Sequence, residues 1–446
     1  MERLKPYPAY RDSGISWLGK IPKHWEVSKL KFIADVCPSN VNKKTDDGEA
    51  SVRLCNYVDV YYNERITSAL DFMQASATPE ERAKFQLRAG DVCVTKDSEE
   101  WSDIAVPAFV VEDIPDLLCG YHLAMARPKK DRLTGAYLAR AFGARGINEQ
   151  FQVEALGITR YGLGQHALIN GVFPVPPLDE QRAMAEFLDR ETERLDALMA
   201  KKEQLIALLL ERRSTLISHA VTKGLNPNAS MRDTGIPWLG KVPKHWEVKR
   251  LKYMATVLRG KFTHRPRTDP SLYDGKYPFI QTGDVASANK YINEHHQTLN
   301  EKGLAVSQMF PKGTMVMTIA ANIGDTAILN FDACFPDSIV GFFPKRGVNL
   351  EFLFRIISAM KAEMMSTAVE NTQLNLNVER IVNLHAMCPP ESEQTAIADY
   401  LDRETGKIDA LISRVRDGIT ALREYRTALI SAVVSGKIAV DAKDGH

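Results

Sequence analysis

The chain has 446 residues, 44% hydrophobic and 25% charged, which is typical of a globular protein too long for one hydrophobic core. Its net charge of +1 excludes a protein that is basic throughout, and no apolar run approaches the roughly 18 residues that a membrane span needs. The first residues lack the layout of a secretory signal, and the six cysteines form no CxxC pair and have no histidine at zinc-ligand spacing. We therefore expect two or more domains, reduced thiols, no bound metal and a cytoplasmic location.

An internal repeat organises the chain. Residues 11–36 and 232–257 are identical at 18 of 26 positions, with Trp25 aligned to Trp246. A self-similar sequence of this kind indicates duplication of a structural unit.

A second pair of similar segments, 176–199 and 389–412, shares the unchanged run LDRET. The inserts between these frames, 37–175 and 258–388, barely resemble each other. We call the similar segments frames. Their similarity suggests that both copies bind the same partner or contact each other, and the divergent inserts suggest that each copy recognises something different. The alternative is that the frames are only the cores of two similar domains. The exposed type of composition in PKHWEV and LDRET argues against it.

A long helix is predicted in the second frame of each copy, because 180–222 contains no Pro or Gly and Gly224 supplies a stop. Apolar residues recur there at heptad-like spacing: Met184, Leu188, Leu195, Leu198, Leu205, Leu209 and Leu216, then Ile397, Leu401, Ile408, Leu411, Ile419, Leu422, Leu429 and Val433. The imperfect pattern predicts an antiparallel coiled coil, softened at Gly418.

The inserts read as mixed α/β. Strands are predicted in 91–96, 107–111, 278–285 and 313–319, and helices in 134–146 and 349–366. The expected fold class is mixed α/β (α+β), with two globular domains separated by two long helices in an antiparallel coiled coil and an internal pseudo-two-fold repeat. The expected boundaries are 1–175 and 226–388 for the two domains, 176–225 for the first spacer helix, and 389–446 for the second spacer helix with the C-terminal tail.

Two motifs, each present twice, are similar to those of the specificity subunits of type I restriction–modification systems. They are the WLGKxPKHW opening and the helix start PPxxEQ, followed by LDRET. The resemblance covers essentially the whole chain. It implies that each insert is a target recognition domain for one half of a bipartite double-stranded DNA sequence. It further implies that the helices space the domains and dock two methyltransferase subunits, with ATP-dependent restriction subunits joining through the complex.

The sequence indicates a binding protein and not an enzyme. It contains no GxxxxGK[ST] phosphate loop, no [DNS]PP[YF] tetrad and no glycine-rich cofactor loop, so we expect no catalytic residues and no cofactor. The rival interpretation is a two-domain scaffold that binds only protein. The basic stretch 259–267 and the polar closing loops argue against that rival.

The charge distribution and the side-chain chemistry suggest where DNA binds. Residues 226–389 hold 19 Lys and Arg against 14 Asp and Glu, whereas residues 1–176 hold 22 against 23. Basic side chains suit phosphates and guanine edges, and Asn or Gln suits adenine edges. In the first insert the candidates are Thr95, Lys96, Ser98, Thr159, Arg160 and Tyr161. In the second they are Arg259, Lys261, His264, Arg265, Arg267, Gln281, Thr282, Asn322, Thr372 and Gln373.

The best candidate is the basic run 259–267, in which Phe262 is expected to be interleaved with the charges. The closing loops of the two inserts differ. Leu374 and Asn375 stand where the first copy has Tyr161 and Gly162, so we expect the second loop to contact DNA differently.

Overall fold

The computed structural model describes residues 5–46, 48–320, 323–366 and 376–440. The chain forms two compact units, and each is described by itself. Unit 1 comprises Met1–Lys202 together with Arg416–His446, and unit 2 comprises Glu203–Val415.

Unit 1 is built from short strands, short helices and parts of two long helices. Its strands are β1 (Tyr10–Asp12), β2 (Lys20–Pro22), β3 (Glu26–Lys29), β4 (Ala34–Pro38), β5 (Ala50–Cys55), β6 (Arg65–Ile66), β7 (Met73–Ala77), β8 (Val92–Thr95), β9 (Asp97–Ser98), β10 (Pro107–Val110), β11 (Leu117–Cys119), β12 (Leu123–Pro128), β13 (Tyr161–Gly162) and β14 (Val172–Val175). Its short helices are α1 (Leu30–Ile33), α2 (Tyr57–Tyr61), α3 (Pro79–Phe85), α4 (Gly135–Phe142), α5 (Arg145–Gln152) and α6 (Gln165–Asn170), with a 3-10 turn at Trp101–Asp103. The long helix α7 (Leu178–Lys223) begins in this unit.

A five-stranded sheet in the order β4-β12-β8-β10-β6 forms the centre of unit 1. Its pairs are antiparallel except for β10 with β6, which is parallel. A three-stranded sheet, β11-β5-β7, adds to the insert, and β3 of the first frame pairs with β14 just before α7. The pairing of β3 with β14 anchors both ends of the insert on one ladder.

Unit 2 has the same kinds of element. Its strands are β15 (Met231–Asp233), β16 (Lys241–Pro243), β17 (Glu247–Arg250), β18 (Ala255–Arg259), β19 (Tyr273–Pro278), β20 (Tyr291–Ile292), β21 (Thr298–Leu299), β22 (Met309–Phe310), β23 (Met315–Thr318), β24 (Thr326–Leu329), β25 (Ala333–Cys334), β26 (Ile339–Pro344) and β27 (His385–Cys388). Its helices are α8 (Leu251–Met254), α9 (Thr282–Ser287), α10 (Glu301–Ala305), α11 (Leu350–Ala359), α12 (Lys361–Ser366), α13 (Val378–Asn383) and the long α14 (Glu391–Val434), with a 3-10 turn at Pro270–Leu272.

The central sheet of unit 2, β18-β26-β23-β24-β20, repeats the sheet of unit 1 strand for strand. It is again antiparallel except at its last pair, β24 with β20, and β17 pairs with β27 as β3 pairs with β14. Inserts that barely resemble each other in sequence therefore share the topology of their central sheet, although their smaller sheets differ. A half-buried sheet asks only for apolar residues at the right alternation, and many sequences meet that requirement.

The two long helices pack antiparallel, as predicted. In unit 1, Met184 and Leu188 of α7 share a core with Leu429 and Val433 near the end of α14. In unit 2, residues near the end of α7 share a core with residues near the start of α14: Ile217 and Val221 with Ile397 and Leu401. Residues from the N-terminal part of each helix thus meet the C-terminal part of the other.

The predicted apolar seam is wrong at three positions. Leu198, Leu205 and Leu411 are 43%, 41% and 43% exposed, so they do not lie in the packed seam. Helix α14 also continues unbroken through Gly418, because packing outweighs the cost of about 1 kcal/mol of a glycine in a helix.

Most predicted strands and helices of the inserts are confirmed, but the prediction for 278–285 is wrong. The strand there ends at Pro278, and Thr282–Ser287 is helical. The carboxylate of Asp284 accepts a hydrogen bond from the backbone N–H of Gln281 at 2.8 Å. Such a capping contact starts a helix where the apolar pattern alone suggested a strand.

The PKHW run of the first frame holds the start of α7. The indole Nε1–H of Trp25 donates to Glu180 Oε2 at 2.9 Å, and His24 Nε2 lies 2.6 Å from Glu180 Oε1. Trp25 itself is 1% exposed.

The second copy of the repeat has the same contacts. Trp246 donates to Glu393 Oε2 at 2.9 Å, and His245 Nε2 lies 2.7 Å from Glu393 Oε1. The exposed type of composition in PKHWEV therefore does not argue against a structural role, because these polar groups pair within each unit.

The LDRET run is also explained by contacts inside each unit. Arg140 Nη2 lies 2.7 Å from Asp189 Oδ1 and 3.2 Å from Thr192 Oγ1, which joins α4 to α7. In unit 2, Arg355 Nη2 lies 2.6 Å from Asp402 Oδ1 and joins α11 to α14. The same run is thus used twice to fix the insert to its long helix.

Candidate nucleic-acid interface

Two separate candidate segments of unit 1 meet on one surface. Strand β9 pairs antiparallel with β13, placing Ser98 opposite Tyr161 and Asp97 opposite Gly162. The backbone N–H of Leu163 also donates to the carbonyl of Lys96 at 2.7 Å. Lys96, Ser98, Arg160 and Tyr161 are brought together by this pairing, which the sequence did not predict.

A chain of charged contacts fixes the cations of this surface. Lys96 Nζ lies 2.7 Å from Asp97 Oδ2, and His122 Nδ1 lies 3.4 Å from the same oxygen. Arg160 is exposed, and its Nη2 lies 3.2 Å from His122 Nε2. Burial and the Arg160 guanidinium lower the pKa of His122, although the hydrogen bond to Asp97 opposes them. Arg160 Nη2 also lies 3.3 Å from His122 Nδ1, so the guanidinium lies against the edge of the ring between its two nitrogens, and a neutral ring offers it one hydrogen-bond acceptor.

Sequence reasoning missed Asp97, His122 and Tyr121. The ring of Tyr121 lies 4.7 Å from Lys96 Nζ and is 48% exposed. Asp97 gives no signal in the sequence, because an acidic side chain by its type suggests no phosphate contact. Tyr121 and His122 follow β11 and reach the surface only through the fold.

Thr95 does not reach this surface, which corrects its place among the candidate contacts. It is 0% exposed, and its hydroxyl donates to the carbonyl of Asp103 at 2.5 Å. Ser98 is 6% exposed, and its Oγ lies 3.1 Å from the hydroxyl of Tyr57. Thr159, by contrast, is exposed in the loop beside Arg160.

Three arginines of the basic run in unit 2 lie against one residue, Asp337. Arg259 donates to the backbone carbonyl of Asp337 at 2.6 Å, and the Asp337 side chain pairs with Arg267 and lies 3.8 Å from Arg265. Lys261 is exposed.

Two further members of the run have intramolecular roles. His264 Nε2 lies 3.0 Å from Asp269 Oδ2. Phe262, expected among the exposed charges, is 2% exposed and packs on Phe279 and Tyr273, which is a correction.

A groove of about 500 Å³ brings the basic run beside the predicted Gln281 and beside Gln297, which was not among the candidates. Arg267, Gln281 and Gln297 line it together with Tyr273 and Phe279. Gln281 Nε2 donates to Gln297 Oε1 at 2.9 Å. Thr282, the first residue of α9, is half-buried. The candidates Asn322, Thr372 and Gln373 lie outside the described residues.

Neither a metal centre nor a membrane span is found in the part of the chain that the structure describes. Within those ranges no three His, Cys, Asp or Glu side chains are placed so that they could hold a metal ion. No described helix combines the length and the apolar character that crossing a bilayer requires.

The family model of the type I restriction modification DNA specificity domain matches residues 22–208 and 243–420, well over half of the chain. The chain belongs to this family. The two matches coincide with the two copies of the repeat, so the protein carries two DNA specificity domains. It is a specificity subunit, and its function is recognition of a DNA target.

Similar proteins agree with this assignment. The chain is 24% identical over 432 residues to a protein assigned as the type I restriction enzyme MjaX specificity subunit of Methanocaldococcus jannaschii, covering 95% of this chain and 96% of the relative. It is 20% identical over 284 residues to the EcoKI specificity subunit of Escherichia coli, covering 61% and 58%.

Two solved structures share the fold. The HsdS subunit from Thermoanaerobacter tengcongensis matches with a TM-score of 0.57 at 16% identity, covering 94% of this chain and 98% of that one. A chain from a structure of type I R-M complex assembly and conformational transition matches with a TM-score of 0.75 at 16% identity, covering 94% and 99%. At this identity the likeness concerns the fold.

Proposed function

We propose that this specificity subunit is non-catalytic and that each of its two domains, 1–175 and 226–388, reads one half of a bipartite double-stranded DNA target. The observation that carries the proposal is that the two units share the topology of the central five-stranded sheet but carry different polar surfaces. One scaffold carries a Lys96–Arg160 surface in unit 1 and a basic run around Asp337 in unit 2. A common frame with different reading surfaces suits a protein that reads two different half-sites.

In unit 1 the proposed DNA contacts are Lys96, Thr159, Arg160 and Tyr161. Thr95 and Ser98 are assigned to support of the loop and not to contact, because both are buried. Arg160 is the strongest of these contacts, since its exposed guanidinium has the donors that phosphate and guanine edges accept from.

In unit 2 the proposed contacts belong to the basic run and to the edge of the groove. They are Arg259, Lys261, His264, Arg265, Arg267, Gln281 and Thr282, and Asn322, Thr372 and Gln373 remain proposed from the sequence. Because Asp337 holds two of the guanidiniums, the positions of Arg265 and Arg267 are set before DNA arrives.

The proposed partners are two methyltransferase subunits and, through them, ATP-dependent restriction subunits, in the cytoplasm. Exposed leucines along α7 support docking of another protein chain on this helix: Leu198, Leu205, Leu208 and Leu210. Surfaces that expose several large apolar side chains commonly mark protein–protein contacts.

The test reconstitutes the full chain with its methyltransferase partner and maps the methylated sites. Replacing residues 37–157 by the insert of a related subunit should change one half of the target and leave the other half unaltered. Loss of both halves together would contradict separate reading. The isolated chain should neither methylate nor cleave DNA.

A gel-shift series at rising salt separates this function from that of a scaffold that binds only protein. Affinity of the complex for DNA should fall steeply with salt, because phosphate contacts release counterions. Absence of DNA binding, or affinity that ignores salt, would favour the scaffold.

A further inference from the structure

The loop of residues 157–161 in unit 1 carries an apolar side chain at its tip. Ile158 is 95% exposed, and its neighbours Leu156 and Val153 are 79% and 80% exposed. A single exposed apolar residue is ordinary on a protein surface. Three within six residues point to a surface that another molecule covers.

The loop is held in shape by its backbone. Leu156 and Gly162 exchange both backbone hydrogen bonds, at 3.0 and 2.9 Å, which closes the loop at its base. Gly157 has φ +149°, and a Cβ placed there would lie 1.9 Å from the carbonyl oxygen of Arg160. The tight return therefore requires glycine, and Ile158 is presented on a preorganised support.

The chemistry around the tip suits DNA better than an apolar protein partner. Arg160, two residues beyond Ile158, lies against His122. Lys96 directly precedes β9, the strand that pairs with β13. Of the carboxylates near the tip, Asp97 is already paired with Lys96 and His122, whereas Glu154 is exposed between Val153 and Leu156. An apolar tip framed by fixed cations resembles the way proteins anchor on phosphates while an aliphatic side chain reaches the bases.

We propose that Ile158 makes an apolar contact with the bases of the half-site that unit 1 reads. This inference rests on the proposed function and adds a contact that carries no charge. The Ile158 side chain either packs against a thymine methyl group or enters between two stacked bases, and both arrangements bury it in a groove.

The test compares Ile158→Ala with Val111→Ala in the complex of the full chain with its methyltransferase partner. Val111 is also exposed, at 38%, and it follows the C-terminal end of β10. Strand β10 runs antiparallel to β8, so its first residue, Pro107, lies near the end of β8 that leads to Lys96, and Val111 lies at the opposite end. Ile158→Ala should weaken binding to the methylated motif by about tenfold, because part of an aliphatic side chain loses its burial. The slope of log affinity against log salt should stay unchanged, whereas a lost phosphate contact lowers it by about 1.

Two DNA substitutions distinguish the modes of contact. Uracil in place of thymine in the first half-site should reproduce the loss for wild type, and not for Ile158→Ala, if the contact is to the methyl group. 2-Aminopurine in that half-site should brighten with wild type alone if Ile158 unstacks a base step. Gly157→Ala, which displaces the loop and keeps Ile158, should reproduce the loss of affinity.

Three outcomes would overturn or redirect the inference. Equal target affinity of Ile158→Ala, Val111→Ala and wild type would overturn it and leave the proposed function intact. Reduced recovery of methyltransferase with Ile158→Ala, at unchanged affinity of the assembled complex, would assign the tip to protein docking and overturn it. A wild-type complex without sequence preference would overturn the proposed function itself.

Discussion

Glu180 accepts a hydrogen bond from the indole of Trp25, which lies 155 residues earlier in the chain, at 2.9 Å. This contact joins the first frame segment to the second across the entire insert, and Trp246 and Glu393 repeat it in unit 2. The duplicated motifs therefore belong together in space: each pair closes one domain around its insert.

Substitution of Glu180 should destabilise unit 1. In Glu180→Ala the buried Trp25 N–H loses its acceptor, and we expect a loss of about 1–2 kcal/mol in the free energy of unfolding. Urea unfolding followed by tryptophan fluorescence measures it. Asp179→Ala is the control, because the side chain of Asp179 is 93% exposed and pairs with Arg182 on the same turn of the helix. Equal midpoints for the two variants would contradict the structural role of Glu180.

Stability should depend on the ionisation of Asp402. Burial alone would raise the pKa of Asp402, but Arg355 and Lys290 outweigh burial and hold it below its ordinary value. A carboxyl whose pKa is lowered by folding stabilises the native state above about pH 4, its unfolded value, and this contribution is lost as pH falls through the lower folded value. Asp402→Asn should therefore be less stable than wild type at pH 7, with the difference shrinking in acid. Urea midpoints of unfolding between pH 7 and pH 3 test this prediction, with Asp399→Asn at an exposed position as the control. A difference between Asp402→Asn and wild type that stays constant over this pH range would refute it.

Arg160 should dominate DNA binding by unit 1. If its guanidinium contacts phosphate, Arg160→Ala should weaken binding to all sequences and lower the salt slope by about 1. If it reads guanine, the loss should be about 1–3 kcal/mol and confined to one target position. His122→Ala should reproduce part of the loss, because it removes the ring that positions Arg160. Affinity and specificity equal to wild type in both variants would remove Arg160 from the interface.

The carboxylate of Asp337 should restrain DNA binding by unit 2. Asp337→Asn removes a negative charge from beside Arg267 and Arg265, so affinity for any duplex at low salt should rise, whereas Arg267→Ala should lower it. Lys312→Ala is the control, because Lys312 is exposed and precedes β23. In the sheet, Arg259 is level with the C-terminal end of β23, whereas Lys312 lies beyond the N-terminal end of that strand. Opposite shifts for the first two variants, measured by fluorescence anisotropy, are the expected result. A fall in affinity with Asp337→Asn would show that the positioning of Arg265 and Arg267 by Asp337 outweighs the negative charge that it places beside them.

The sequence alone determined the duplication, the two long antiparallel helices and the family, because repeated motifs and helical periodicity are local properties of the chain. It also identified the two segments that meet at Ser98 and Tyr161, as separate candidates. The sequence could not show that these two segments pair, because neither segment alone contains information on which distant strand it pairs with.

Only the tertiary structure decided which polar or apolar residues make contacts within a unit and which are exposed. His24 and Asp189 have the composition of surface residues, yet they pair with Glu180 and Arg140 inside unit 1. Thr95 has the chemistry of a base-reading residue and is buried, whereas Ile158 has the chemistry of a core residue and is exposed. Residue type fixes what a side chain is able to bind, but burial and partners fix what it meets, and these arise from contacts between residues far apart in the chain.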